Sequence, residues 1–117
     1  MQYQFIYYPK CTTCQKAKKW LNDNGIAHNE RHIKERNPSV GELEEWREKS
    51  GLSLKKFFNT SGLLYKSMQL KDKLPTMSDA EMIAILATDG MLVKRPILVA
   101  GNRVFVGFKK DDWEQVK

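Results

Sequence analysis

"YYPKCTTCQK", residues 7–16, contains both cysteines of the chain, Cys11 and Cys14. The aromatic run that leads into it, "QYQFIYY" (2–8), is bounded by Pro9 and reads as a strand. After it the pattern turns helical from Thr12 to Asn24. Cys14, Ala17 and Leu21 fall on one face with Trp20 beside them, Lys16, Lys18 and Lys19 point outward, and Gly25 closes the helix. "IAHNERHI" (26–33) then reads as a second strand. Strand, helix and strand within about 33 residues predict a βαβ unit, with the cysteine pair at the joint between the first strand and the first helix.

The rest of the chain divides in two. Ser39 and Glu42 form a capping box for "SVGELEEWREKS", with Val40, Leu43 and Trp46 as its apolar stripe and Gly51 at its end. "SLKKFF" reads as a short helical turn, "NTSG" (59–62) as a polar loop, and "LLYKSM" as a resumed helix. A second capping box, Ser78 with Glu81, opens "SDAEMIAILATDG", which Gly90 is expected to terminate. In "RPILVAGNRVFVGF", Ile97–Ala100 and Arg103–Phe108 are β-rich, and Gly101-Asn102 makes a two-residue hairpin turn. "DDWEQVK" reads as a final helix with Asp111 and Asp112 at its positive end. The predicted order is βαβ, a helical insert over about 38–90, then ββα, in a single domain spanning 1–117.

At 117 residues the chain is one ordinary domain that buries roughly 65% of its unfolded surface, so it needs no staple. Two cysteines do not make a secreted disulfide framework. The N-terminus lacks a basic start followed by an apolar run, and no stretch approaches the roughly 18–20 apolar residues of a membrane span. The expectation is a soluble cytoplasmic protein with no membrane partner, in a compartment that keeps thiols reduced. The net charge of +6 is spread along the chain, and its densest cluster, Lys10, Lys16, Lys18 and Lys19, reads as a solvated face. No interleaved aromatics or nucleic-acid motif accompany it, so direct nucleic-acid binding is not expected.

Three chemistries compete for the cysteine pair. Cys11-x2-Cys14-x13-His28-x3-His32 fits a generic zinc spacing. A zinc finger, however, puts its cysteines in a hairpin and its histidines on a helix, whereas here the order is reversed. Two histidines four residues apart along a strand lie roughly 13 Å apart, too far for one ion. An inert disulfide closing so short a loop would constrain little of the unfolded chain. Redox chemistry fits the position: a Cys-x-x-Cys that follows a strand and opens a helix in a βαβ unit, as in thioredoxin-like motifs. Unpaired N–H groups and the helix dipole stabilise an anion there, and can lower a thiol from about 8.5 into about 3.5–7.5. Cys11 is the expected exposed nucleophile. Cys14, one turn in on the apolar face, is the expected resolving thiol of a disulfide switch. Arg95-Pro96 is the second candidate site, with Arg95 offering a planar fork of donors to an oxyanion or thiolate.

"YPKCTTCQKAKKWL", "NTSG", "KRPILV" and "VGFK", in this order and spacing, resemble the arsenate reductase-like (ArsC/Spx) branch of the thioredoxin-fold superfamily, over nearly the whole chain. The resemblance implies an α/β thioredoxin-like fold: a four-stranded mixed sheet flanked by helices, with a helical insert and a proline before the third strand, often cis, at Pro96. Two functions diverge within the branch. Glutaredoxin-dependent arsenate reductases use a nucleophile at the position of Cys11 and several arginines around the oxyanion. Arg95 matches one. Asn59 stands where the insert arginine is expected, "VFVGF" supplies none, Tyr8 stands where those reductases have a histidine, and they generally lack Cys14. Spx-type redox-sensing transcriptional regulators carry Cys-x-x-Cys in this loop and bind the C-terminal domain of the RNA polymerase alpha subunit. The expected site therefore comprises catalytic Cys11 and Cys14, with Thr12, Thr13, Arg95 and Pro96 binding substrate and no metal. The expected activity is thiol–disulfide oxidoreduction on a thiol or disulfide partner, with an external thiol reductant and no cofactor.

Overall fold

A computed structural model describes residues 3–117. Gln2 of the expected first strand lies outside the described residues. β1 (Tyr3–Tyr7), α1 (Thr12–Asp23) and β2 (His28–His32) form the βαβ unit. The insert follows as α2 (Val40–Ser50), a 3-10 turn (Leu54–Phe57), α3 (Leu63–Ser67), α4 (Leu70–Lys73) and α5 (Asp79–Leu86). β3 (Ile97–Ala100), β4 (Arg103–Val106) and α6 (Lys110–Trp113) complete the chain. The sheet is mixed, in the order β2-β1-β3-β4. β1 runs parallel to β2, with Tyr3 opposite His28 and Tyr7 opposite His32, and antiparallel to β3, with Phe5 opposite Leu98. This is the expected thioredoxin-like architecture, with helices on both faces.

Side-chain alternation along the strands makes two cores. Phe5, Leu98 and Ala100 face one side and pack with Ala17, Trp20, Leu21 and Trp113 of α1 and α6. Ile6 and Ile97 face the other side and pack with Leu43, Trp46, Phe57 and Leu86 of the insert. A sheet covered on both faces needs apolar residues at consecutive positions, which is why "FI" and "ILVA" read as unbroken apolar runs.

Both capping boxes form. Ser39 Oγ accepts from the Glu42 N–H at 3.1 Å, and Ser78 Oγ from the Glu81 N–H at 3.2 Å. Gly51 closes α2 in the left-handed region, at φ 70°. Four expectations need correction. Val40 is 45% exposed rather than part of the buried stripe, because Leu43 and Trp46 alone reach the core. α5 ends at Leu86, and Gly90 instead opens a 3-10 turn, Gly90–Leu92, where a Cβ would sit 1.9 Å from the Ile33 carbonyl oxygen. β4 stops at Val106 because Gly107 takes φ 80°. The final helix is one α turn, α6, continued by a 3-10 turn, Glu114–Val116.

Candidate active site

The first turn of α1 sets out the cysteines. Cys11 occupies the N-cap with extended backbone, φ −89° and ψ 123°, and its thiol is partly exposed. Cys14 is fully buried, as helical spacing requires of a residue on the face of Ala17 and Leu21. The loop before them is pinned from both ends. The Cys11 N–H donates to the Tyr8 carbonyl at 3.0 Å, the Tyr8 N–H reaches Cys14 Sγ at 3.5 Å, and the Gln15 amide donates to the Pro9 carbonyl. Both cysteines are free thiols in this structure.

The same surroundings act oppositely on the two thiols. Burial pushes the Cys11 thiol up, but the Cys14 backbone N–H, the Cys14 thiol and the Arg95 guanidinium together outweigh it, and Cys11 lies below the ordinary thiol range. Burial pushes the Cys14 thiol up to about 12; the Tyr8 N–H and Arg95 oppose the rise, and the neighbouring Cys11 adds to it.

Arg95 precedes β3 through a cis peptide bond to Pro96. Its guanidinium lies over the Tyr8 ring, 5.1 Å from the centroid. Among the described residues, Arg95 Nη1 is a buried side-chain donor without a hydrogen-bond partner. The segment is held from two directions. The Gly107 N–H donates to the Pro96 carbonyl at 2.8 Å, and buried Trp113 of α6 donates from its indole N–H to the Gly107 carbonyl at 3.2 Å. On the insert side, the Lys94 N–H donates to the Phe57 carbonyl at 2.7 Å and the Asn59 N–H to the Leu92 carbonyl at 2.8 Å, around a bridge between Phe58 and Val93. This seam places the "NTSG" loop across from Cys11.

Between them lies an open cavity of about 910 Å³. Its wall includes Cys11, Thr13 and Arg95 of the predicted site. Thr12 is exposed on the first turn outside that wall, and Pro96 is buried, so neither of these two faces the cavity. Sequence reading did not assign Lys34, Lys94, Lys109 or Leu63 to the site, although all four line the cavity. Lys94 was open to inference as the neighbour of Arg95. Lys109 ends the "VGFK" motif but has no role assigned by it, and Lys34 carries no local signal, because only the fold brings it there. Asn59, where the resemblance leads one to expect an arginine, also lines the wall and leaves it one guanidinium short.

The histidines have structural partners. His28 Nδ1 lies 2.9 Å from the Ile26 carbonyl, and its ring meets Phe5 edge-on. His32 Nδ1 accepts from the Lys34 and Glu35 N–H groups at 3.2 Å each, so its ring caps the turn after β2. Among the described residues, no cluster of three or more His, Cys, Asp or Glu side chains could hold a metal ion.

A family model described as "ArsC family" matches residues 6–116. The chain belongs to the ArsC family. An uncharacterised Bacillus subtilis protein, YusI, is 55% identical over 98% of each chain. The Bacillus subtilis regulatory protein MgsR is 31% identical over 92% of this chain and 83% of its own. An ArsC family related protein from Bacteroides fragilis, known from a crystal structure, superposes with a TM-score of 0.98 at 55% identity, covering 100% of this chain and 98% of that one. ArsC-family relatives thus include transcriptional regulators named Spx as well as proteins named as arsenate reductases. Among the described residues, no helix is long and apolar enough to cross a membrane.

Proposed function

We propose that this ArsC-family protein is a cytoplasmic thiol–disulfide oxidoreductase that uses Cys11 as nucleophile and Cys14 as resolving thiol. The opposite displacement of the two thiols, one open to the cavity and lowered, the other buried and raised to about 12, carries the reading. In the first step the Cys11 thiolate attacks one sulfur of a substrate disulfide. That S–S bond breaks, one substrate thiolate leaves and takes a proton from solvent, and a mixed disulfide forms on Cys11. Cys14 then gives its proton to solvent and attacks Cys11 Sγ; the mixed-disulfide S–S bond breaks, the second substrate sulfur leaves as a thiolate that takes a proton from solvent, and a Cys11–Cys14 disulfide closes. Two electrons pass from the protein dithiol to the substrate, and an external thiol reductant restores the pair. Part of what holds Cys14 protonated is the Cys11 thiol and its charge. Mixed-disulfide formation removes that charge, so Cys14 becomes easier to deprotonate when it is needed. No cofactor enters these steps.

Mild oxidation tests this. The wild type should form an intramolecular Cys11–Cys14 disulfide, detected by mass as the loss of two hydrogens and reversed by dithiothreitol. Cys14→Ser should accumulate mixed disulfides on Cys11, since nothing resolves them. A wild type that yields only intermolecular dimers sinks the pairing.

The relation to the regulatory protein MgsR and to the transcriptional regulators named Spx supports a second reading, in which the same pair is a switch in a transcriptional regulator, with the C-terminal domain of RNA polymerase alpha as the partner that the Spx resemblance implies. Capture of that domain by the immobilised protein in only one redox state would favour the switch. Absence of capture in both states would favour the enzyme.

A further inference from the structure

The wall of the Cys11 cavity has a charge pattern that thiol exchange alone does not require. Lys34, Lys94 and Lys109 line it together with Arg95. Among the described residues, none of these four pairs with a carboxylate, whereas Lys18, Lys49 and Arg47 elsewhere on the surface do. The acidic residue in the wall, Asp89, turns a carboxylate oxygen onto the Met91 N–H at 2.8 Å. The cations come from three separate segments, the turn after β2, the approach to β3 and the start of α6. Leu63, 86% exposed, stands on the insert side of the same cavity. At about 910 Å³ the cavity lies at the upper end of the roughly 300–1,000 Å³ usual for ligand sites, and a tetrahedral oxyanion would fill little of it.

We infer that the cavity docks an extended acidic segment of a protein disulfide, its carboxylates on Lys34, Lys94 and Lys109 and an apolar side chain over Leu63. The inference rests on the thiol-exchange reading and names its substrate class. A protein segment is favoured over a small acidic thiol because three lysines, Arg95 and the exposed Leu63 line one cavity of about 910 Å³, more than a single small thiol fills.

Hexapeptides with one central cysteine, activated as 2-pyridyl disulfides, provide the test. The Cys11 thiolate attacks the peptide sulfur, the S–S bond breaks, and pyridine-2-thione leaves and is followed by absorbance. A probe with Asp and Leu beside the cysteine should react at least about 10-fold faster than its Lys counterpart at low salt, within the range of electrostatic steering. The ratio should shrink in about 1 M salt, where screening acts over about 3 Å. It should fall toward one in K34Q/K94Q/K109Q. All three lysines are exposed, and the single variants read the same ratio if the triple variant does not fold. A wild-type ratio near one, or a ratio unchanged by the substitutions, overturns the docking while labelling of Cys11 by neutral 2-hydroxyethyl pyridyl disulfide keeps the exchange reading. A blocked acidic cysteine that reacts as fast as the hexapeptide overturns the protein-segment assignment. Failure of the neutral probe to label Cys11 overturns both.

Discussion

Cys11 and Cys14 are three residues apart in sequence and differ in nearly everything that governs a thiol's reactivity. Only the thiolate is a nucleophile, so reactivity follows the charged fraction. At about pH 6.5 an unperturbed thiol is roughly 1% thiolate, and a lowered one is correspondingly richer. Iodoacetamide in slight excess at that pH should therefore alkylate Cys11 well before Cys14, as read by peptide mass mapping. Equal labelling, or Cys14 first, would reverse the roles. The Cys11 rate should rise with pH and level off once pH passes its lowered pKa, while Cys14, pushed up to about 12 by burial and by Cys11, stays protonated at neutral pH. Arg95 is one of the groups that hold Cys11 down. Arg95→Ala should move the inflection upward and slow alkylation at pH 6.5, as read from the pH–rate profile of Cys11 labelling. An unmoved inflection would show that Arg95 does not act on the thiol.

At the scale of elements, the insert packs on the βαβ unit through Ile6 and Ile33, and two further contacts between them give testable stability effects. Arg31 of β2 grips Glu42 of α2 with both arms of its fork, Nη1–Oε2 at 2.6 Å and Nη2–Oε1 at 2.9 Å, while Glu42 also closes the capping box. Arg31 is the leading cause that holds the Glu42 carboxyl down at about 2, against an ordinary value of 4.5. A lowered carboxylate stabilises the fold fully above its unfolded pKa and loses that contribution as pH falls through its folded one. The wild type should therefore lose stability between about pH 4.5 and 2 in a step that Glu42→Gln lacks. For a carboxylate one-third exposed, the step is about 1–2 kcal/mol after solvent screening, measurable by urea denaturation. Gly90 is the second contact. Its missing Cβ lets the chain pass against the Ile33 carbonyl, and backbone cannot yield as a side-chain tip can. Gly90→Ala should cost about 3 kcal/mol or more, seen as a lowered Tm. What could be read from sequence here was local: both capping boxes and the left-handed Gly51 depend on residues within one turn. Gly90 looked like a helix stop because its partner, Ile33, lies far away along the chain. α4 left no periodic signal, since of "LKDK" only Leu70 is buried and Gln69, at φ 52°, breaks it from α3.

For the whole molecule, the same division between local and distant applies to the site. The cysteine pair and Arg95 were legible because each sits in a motif of its own. The cavity was not, because the Phe58–Val93 bridge brings the "NTSG" loop to Lys94 and Arg95, and nothing in either segment announces the pairing. The assembled charge bears on arsenate, the substrate that the ArsC family name suggests. Its reduction needs several preorganised donors converging on one oxyanion, and losing one such donor typically costs about 10²–10³ in rate. Arg95 is the arginine in this wall, and Asn59 provides only a neutral amide across from Cys11. Lys34, Lys94 and Lys109 offer charge, but each is a point charge on a flexible stem, and they come from three separate segments of the chain. Arsenate should therefore bind weakly beside Arg95, and its reduction with glutathione or glutaredoxin should be very low or absent, while a peptide disulfide is reduced under the same conditions. A coupled reductase assay on both substrates decides the matter. Arsenate turnover near the typical enzyme rate of about 10 per second would mean that the lysines converge on binding and that the wide cavity closes around the ion.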